Sequence, residues 1–174
     1  TYSSAVFAHP DESLEAAQLR KYRRILAQLD TQPGQTILEI GCGWGGFAEV
    51  AATEFGCKVL GITLSPAQLA FARARAERGG FADRVDLELC DYRDVRGQYD
   101  HVVSIEMIEA VGERFWPTYF AQLSALLKPG GRCVVQAITI ADALFARYRR
   151  GTDFIQRHVF PGGMLPSPGA VAQQ

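Results

Sequence analysis

Little in this chain points toward a metal, a membrane span or a strong electrostatic partner. Its 18 Lys and Arg nearly balance its 19 Asp and Glu, for a net charge of −1, so no global field draws it to nucleic acid. Histidine is scarce: His9, His101 and His158 stand far apart and default to structural or solvent roles. The cysteines Cys42, Cys57, Cys90 and Cys133 form no CxxC pair and have no nearby His at ligand spacing. That argues against a zinc site or a disulfide framework, predicts no bound metal, and fits reduced thiols in a cytoplasm. No apolar run approaches the roughly 20 residues that cross a bilayer. Repeats, low-complexity runs and a signal-peptide pattern are absent too, and Thr1-Tyr2-Ser3-Ser4, without an initiator Met, reads as a processed start. What remains is an ordinary globular composition, 48% hydrophobic over 174 residues, enough for one domain with a full core.

The periodicity alternates between two and 3.6. Leu14, Ala17, Tyr22, Ile25, Leu26 and Leu29 recur at helical spacing, with Asp11 or Ser13 available as a cap. Strands are expected at 36–40, 58–62, 84–89, 99–104 and 131–138. Helices are expected at about 47–55, 67–78 (Pro66 in the first turn) and 115–127. This alternation predicts an α/β domain, a doubly wound and mostly parallel sheet with helices on both faces. The fifth strand would lie at an edge, and edges are normally covered, so the chain is expected to be part of a longer protein, truncated after that strand.

The segment Thr36-Ile37-Leu38-Glu39-Ile40-Gly41-Cys42-Gly43-Trp44-Gly45-Gly46 carries most of the functional signal. A strand feeding a Gly-rich turn and a helix presents backbone N–H groups to a ligand. Gly41, Gly43 and Gly45 remove the Cβ atoms that would block its approach. Gly41, Gly43 and Gly46 even spell the GxGxxG of dinucleotide binders. That reading needs a carboxylate after the second strand to hold a ribose, whereas Gly61-Ile62-Thr63-Leu64-Ser65 offers none. An acidic residue two positions before the first glycine, as at Glu39, resembles instead motif I of class I S-adenosylmethionine-dependent methyltransferases. The plainer role for Glu39 is a strand-end carboxylate that orients the loop.

Further motifs narrow the resemblance. Tyr2-Ser3, the glycine turn, Thr63-Leu64-Ser65-Pro66-Ala67-Gln68, Asp91-Tyr92-Arg93-Asp94 and Phe160-Pro161-Gly162-Gly163-Met164-Leu165-Pro166-Ser167 occur in order. Together they resemble the cyclopropane-fatty-acyl-phospholipid synthase and mycolic acid cyclopropane synthase family over almost the whole chain. The resemblance implies one S-adenosylmethionine-binding domain over 1–174, with 139–174 opening the lipid-substrate region. It places Glu39, Gly41, Gly43, Trp44 and Gly45 at the methionine end of the cofactor. Thr63, Leu64, Ser65 and Gln68 would serve the ribose, Asp91 and Tyr92 the adenine, and Tyr2 and Ser3 would close over the top. The bland alternatives are a turn Asp, a packed Tyr and a frayed terminus.

For the chemistry, the resemblance implies a bicarbonate base held by Cys42, Glu109, Gln136 and Ile138. Cys42 lacks a His partner and is not read as a nucleophile; it, or Glu109, could equally be structural. Where the family commonly has Glu-His-Val-Gly and a His on strand five, this chain has Glu109-Ala110-Val111-Gly112 and Gln136. A glutamine can donate to an anion but cannot titrate. The expectation is therefore methyl transfer to an unsaturated fatty acyl chain of a phospholipid, with ring closure in question. The rivals are a small-molecule N-methyltransferase and a catalytically inactive homologue that binds cofactor or membrane. Arg147, Arg149, Arg150 and Arg157, interleaved with aromatics, would give transient peripheral contact with the inner membrane face, or simply a solvated helix face. Phe115, Trp116, Tyr119 and Phe120 are expected in the core.

Overall fold

A computed structural model describes residues 3–151, 157–158 and 162–174. Helix α1 spans Leu14–Leu29, with the Ser13 side chain accepting from Ala16 N and Asp30 in the left-handed region as its C-cap. Then follow β1 (Thr36–Ile40), α2 (Gly46–Thr53), β2 (Lys58–Thr63), α3 (Pro66–Gly79) and β3 (Val85–Leu89). The second half contributes β4 (Tyr99–Ile105), α4 (Ile108–Val111), α5 (Trp116–Ala125), β5 (Leu127–Gln136) and α6 (Asp142–Tyr148). A last short helix covers Pro168–Ala172.

The strands form one sheet in the order β3-β2-β1-β4-β5, and every neighbouring pair is parallel. The period-two side-chain pattern divides the core. Ile37, Val59 and Val103 face α1 and α2 with Tyr22, Ile25, Leu26 and Phe47. Leu38, Ile40, Ile62 and Val102 face α5 with Trp116, Tyr119 and Leu123. Burying each such aliphatic side chain contributes about 1.5–3 kcal/mol. Phe145 and Met164 from the C-terminal segment pack against the second cluster.

β5 lies at the edge, as expected, but it begins at Leu127 rather than at 131. Tyr99 pairs with Leu127 and His101 with Arg132, with a register shift between them. Lys128-Pro129-Gly130, expected only to close a helix, is therefore a bulge inside the strand, with Gly130 at φ +81°. The strand order reverses between β1 and β4, so the connections that leave them run to opposite sides and a crevice opens beyond their C-terminal ends. Glu39, Thr63, Asp91, Glu106 and Gln136 lie at or just beyond the C-terminal ends of β1, β2, β3, β4 and β5 in turn.

Candidate functional site

The glycine turn is shaped by backbone conformation before any ligand is considered. Gly41, Gly43 and Gly45 all have positive φ, at +83°, +53° and +77°. The N–H groups of Gly41 and Cys42 both donate to Ile62 O, at 3.0 and 2.9 Å, which ties the turn to β2. At Gly43 an added Cβ would meet nothing within 4 Å, an open face where a ligand could approach. A Cβ on Gly45 would stand 3.1 Å from Ala72 Cβ of α3, and one on Gly41 would stand 3.3 Å from Met107 Cγ. Gly45 thus serves helix packing and the left-handed N-cap of α2.

Gly41 joins two lobes of one cleft. The first is small, about 40 Å³, and is walled by Ser3, Tyr22, Glu39, Cys42, Gly43, Trp44 and Ile105 among others. Glu39 is only 3% exposed and its Oε2 has no hydrogen-bond partner. Burial pushes its carboxyl well above the ordinary range, against the charge of Lys21 and the Ala48 N–H. Lys21 is itself 1% exposed; its Nζ donates to Ser3 Oγ at 2.6 Å and stands 4.7 Å over the Tyr22 ring. Burial lowers its pKa, with Glu106 and Glu39 opposing. Gln18 Nε2 donates to Ser3 O at 2.7 Å. Lys21 and Gln18 were not expected at the site, although one signal existed: both fall on the apolar stripe of α1, with Ala17, Tyr22 and Ile25.

The second lobe is larger, about 520 Å³. Its β2–α3 wall is a chain of neutral hydrogen bonds. Thr63 Oγ1 donates to Gln68 Oε1 at 2.9 Å and accepts from Ser65 N at 3.1 Å, while Ser65 Oγ caps α3 by accepting from Gln68 N at 3.3 Å. Leu64 lines this wall and is exposed. Opposite it, Asp91 accepts from Arg93 Nε at 2.9 Å and Nη2 at 2.7 Å, which holds its carboxyl below the usual range. Tyr92 packs edge-to-face on Tyr119 with centroids 5.5 Å apart. Met107, Ala110, Val111 and Phe115 supply the apolar rim. Trp116 and Tyr119 are core as expected, but Phe115 is 37% exposed and belongs to the cleft. Trp44, from the turn, sits edge-on to Phe71 with centroids 5.2 Å apart.

The family model for mycolic acid cyclopropane synthetase matches residues 1–174, the whole chain. The chain belongs to that family. It is 48% identical over 178 residues to the tuberculostearic acid methyltransferase UfaA1 of Mycobacterium tuberculosis, matching 98% of this chain and 42% of that protein. It is 37% identical over 177 residues to the cyclopropane-fatty-acyl-phospholipid synthase of Escherichia coli, covering 99% of this chain and 43% of the relative. The crystal structure of the mycolic acid cyclopropane synthase CmaA1, complexed with SAH and CTAB, superposes with a TM-score of 0.89 at 30% identity. That match covers 99% of this chain and 64% of CmaA1. The chain thus spans less than half the length of these two curated relatives.

Within this cyclopropane synthetase fold, the residues expected to hold an anion fall into separate groups. Glu109 accepts from Ile138 N at 2.5 Å, and burial raises its pKa; its backbone carbonyl accepts from Met164 N at 2.8 Å. Gln136 instead turns its amide to Glu106 Oε1 at 2.8 Å and Ser4 O at 3.4 Å. Glu106, at φ +51°, also accepts from Ser4 N at 2.8 Å. Cys42 packs its side chain with Ala72 and Leu87; burial, with Glu39 nearby, drives its thiol pKa up. No hydrogen bond joins Cys42, Glu109 and Gln136 to one another among the described residues. Cys42 N–H, Ile138 N–H and the Gln136 amide already have acceptors within the chain, whereas Glu109 Oε2 is buried without a hydrogen-bond partner among the described residues.

Tyr2 lies outside the described residues, as do Phe154, Ile155, Phe160 and Pro161. Of the basic tail, Arg149 Nε pairs with Glu113 at 2.8 Å and Tyr148 Oη accepts from Leu165 N at 3.3 Å, so these two hold the local fold together. Among the described residues there is no cluster of His, Cys, Asp and Glu able to hold a metal, and no helix is long and apolar enough to cross a membrane.

Proposed function

We propose that this chain is the cofactor domain of an S-adenosylmethionine-dependent methyltransferase, and that the whole protein methylates the double bond of an unsaturated fatty acyl chain of a phospholipid. One observation carries the reading: two chemically distinct lobes meet at Gly41, one built on a buried carboxylate and one on neutral donors, a carboxylate and an aromatic ring. The fit is supported by the unpartnered Glu39 Oε2 and the open cradle at Gly43. When bound, the cofactor supplies an electrophilic sulfonium methyl, so the protein's main task is to position it and the acceptor in line. Glu39 and the glycine turn would hold the cationic methionine end. Gln68, oriented by Thr63, would meet ribose hydroxyls. Asp91, fixed by Arg93, would accept from the adenine amino group, with Tyr92 beside the ring and Phe115 and Val111 excluding water.

The choice of acceptor draws on the relatives, one named for tuberculostearic acid methylation and one for cyclopropane synthesis on phospholipids. The commitment of Gln136 to Glu106 and Ser4 supports methylation without ring closure. The acyl chain would be reached by peripheral contact with a membrane surface.

Calorimetry of the full-length protein with S-adenosylhomocysteine tests the cofactor, and no binding by folded protein would sink it. Lipids from cells expressing the protein should gain about 14 mass units, one CH2, per modified chain. Mild hydrogenation then separates the products: a methyl-branched alkene takes up hydrogen, whereas a cyclopropane does not. An unchanged lipid profile would point to another acceptor.

A further inference from the structure

Lys21 is a cation that the proposed chemistry does not use, and it lies where a cation is expensive. It is almost completely buried in α1, and an ammonium loses its hydration there unless nearby groups replace it. Its replacements are one short hydrogen bond to Ser3 Oγ, the face of Tyr22 and the fields of Glu106 and Glu39. All four belong to the first lobe of the cleft or its cover. The segment at Ser3 and Ser4 is held at four points: Lys21 Nζ and Gln18 Nε2 donate to Ser3, Ser4 N donates to Glu106, and Ser4 O accepts from Gln136. Lys21 is the group among these that touches the segment and also acts on Glu39.

We infer that Lys21 is a positioning residue for this lobe: its ammonium pins the Ser3–Ser4 segment across the opening and keeps Glu39 available as a carboxylate for a cationic ligand group. The inference rests on the S-adenosylmethionine reading for its second half only. The charged and titratable groups around Glu39 come from every packed element. Lys21 and Tyr22 belong to α1, Cys42 to the turn, Arg75 (acting on Tyr22) to α3, and Glu106 follows β4. Tyr22, pushed up to about 12 by burial, and the Cys42 thiol stay neutral around pH 7, so Lys21 is the cation that opposes the desolvation of Glu39. Removing it leaves Glu39 protonated to higher pH.

The test uses the full-length protein, with Lys21→Met in wild-type and Glu39→Gln backgrounds. S-adenosylhomocysteine affinity is measured by calorimetry between about pH 6 and 9. Lys21→Met should weaken binding about tenfold or more near neutral pH, and the pH at which affinity is lost should move upward. With Glu39→Gln already present, the same substitution should cost less than about threefold, because the charge it served is gone. Equal costs in the two backgrounds, or an unmoved pH profile, would overturn the charge role. Hydrogen exchange without ligand tests the pinning: the Ser4 amide should exchange faster in Lys21→Met and in Ser3→Ala, and unchanged exchange would overturn it. Ser3→Ala leaves the cation in place and carries this arm should Lys21→Met fail to fold. If wild-type protein binds no S-adenosylhomocysteine at any pH, the cofactor reading fails, and the exchange result alone decides the pinning.

Discussion

The two ends of strands β1 and β4 are built to opposite rules. At their N-terminal ends the polar groups are paired: Asp100 accepts from Thr36 N at 2.8 Å, from Thr36 Oγ1 at 2.7 Å and from Lys128 Nζ at 2.9 Å. At their C-terminal ends, a few residues along, Glu39 Oε2 lacks a hydrogen-bond partner among the described residues, and Glu106 occupies a left-handed backbone region unusual for its type. Buried polar atoms are ordinarily satisfied, and strain persists where the surroundings impose it, often at functional sites. The contrast separates the part of each strand that holds the sheet together from the part that waits for a ligand.

The largest expected effect that would sharpen this contrast comes from Glu39→Gln. Removing the buried charge should weaken S-adenosylhomocysteine binding about 10- to 100-fold, the worth of one hydrogen bond to a charged group, about 1.4–2.7 kcal/mol. Stability should change little, since relief of the buried carboxylate offsets the loss of its field on the buried Lys21. Calorimetry and thermal melting read the two quantities separately. A loss of stability with unchanged binding would erase the distinction between the ends.

Asp100→Asn should do the reverse. Losing the carboxylate that accepts from Thr36 and Lys128 should destabilise the domain by about 2 kcal/mol, with ligand affinity within about twofold. The hydrogen bonds of Thr36 and Lys128 hold the Asp100 carboxyl at about 2, against an ordinary value of 3.8. Its contribution is therefore complete above the unfolded value and is lost as pH falls from there toward the folded one. The acid-unfolding profile of the variant should be flatter in that window. Because Glu39 lies near the C-terminal end of β1 and Asp100 near the N-terminal end of the neighbouring β4, the stability changes of a Glu39→Gln/Asp100→Asn double variant should add within about 0.5 kcal/mol; marked coupling would mean that the two ends are not independent.

The sequence made the sheet and much of the cleft legible for the same reason: period-two strands, a glycine turn and an N-cap serine at Ser65 are local signals, and local geometry decides them. Glu39, Asp91 and Tyr92 could be named because they sit at fixed offsets from strand ends. Lys21 and Glu106 were missed because their meaning is tertiary. Lys21 falls on the apolar stripe of α1, but the groups that give its charge a role, Ser3, Glu39 and Glu106, come from other segments, and a left-handed Glu leaves no trace in composition. Gln136 shows a different limit. Its position beside a suspected anion site was readable, but the partners that its amide would choose, Glu106 and Ser4, come from segments 30 and 132 residues away. Gly45 carries a second constraint, Ala72 on another helix 3.1 Å from where its Cβ would stand, which no spacing rule reveals.

The smallest effect probes the satisfied end at its one weak point, His101. Its Nε2 lies 3.0 Å from Gln35 Oε1, an oxygen that also accepts from Gln32 N at 2.7 Å, so the imidazole donates through Nε2. Nδ1 is then a buried acceptor without a partner. Desolvation of the protonated, charged ring is the largest influence and lowers the pKa from its ordinary 6.5, against the nearby Asp100 charge and the Arg132 backbone. The unfolded chain takes up that proton first, so the stability is full above 6.5 and declines as pH falls through the folded value. His101→Gln keeps an amide donor but cannot titrate. Urea unfolding at about pH 7.5 and 5.5 should show the variant losing less stability on acidification than wild type, because desolvation of the charged imidazole is removed. An equal loss in both proteins would show that His101 does not carry the acid sensitivity of this end in that range, where the Asp100 contribution is already complete.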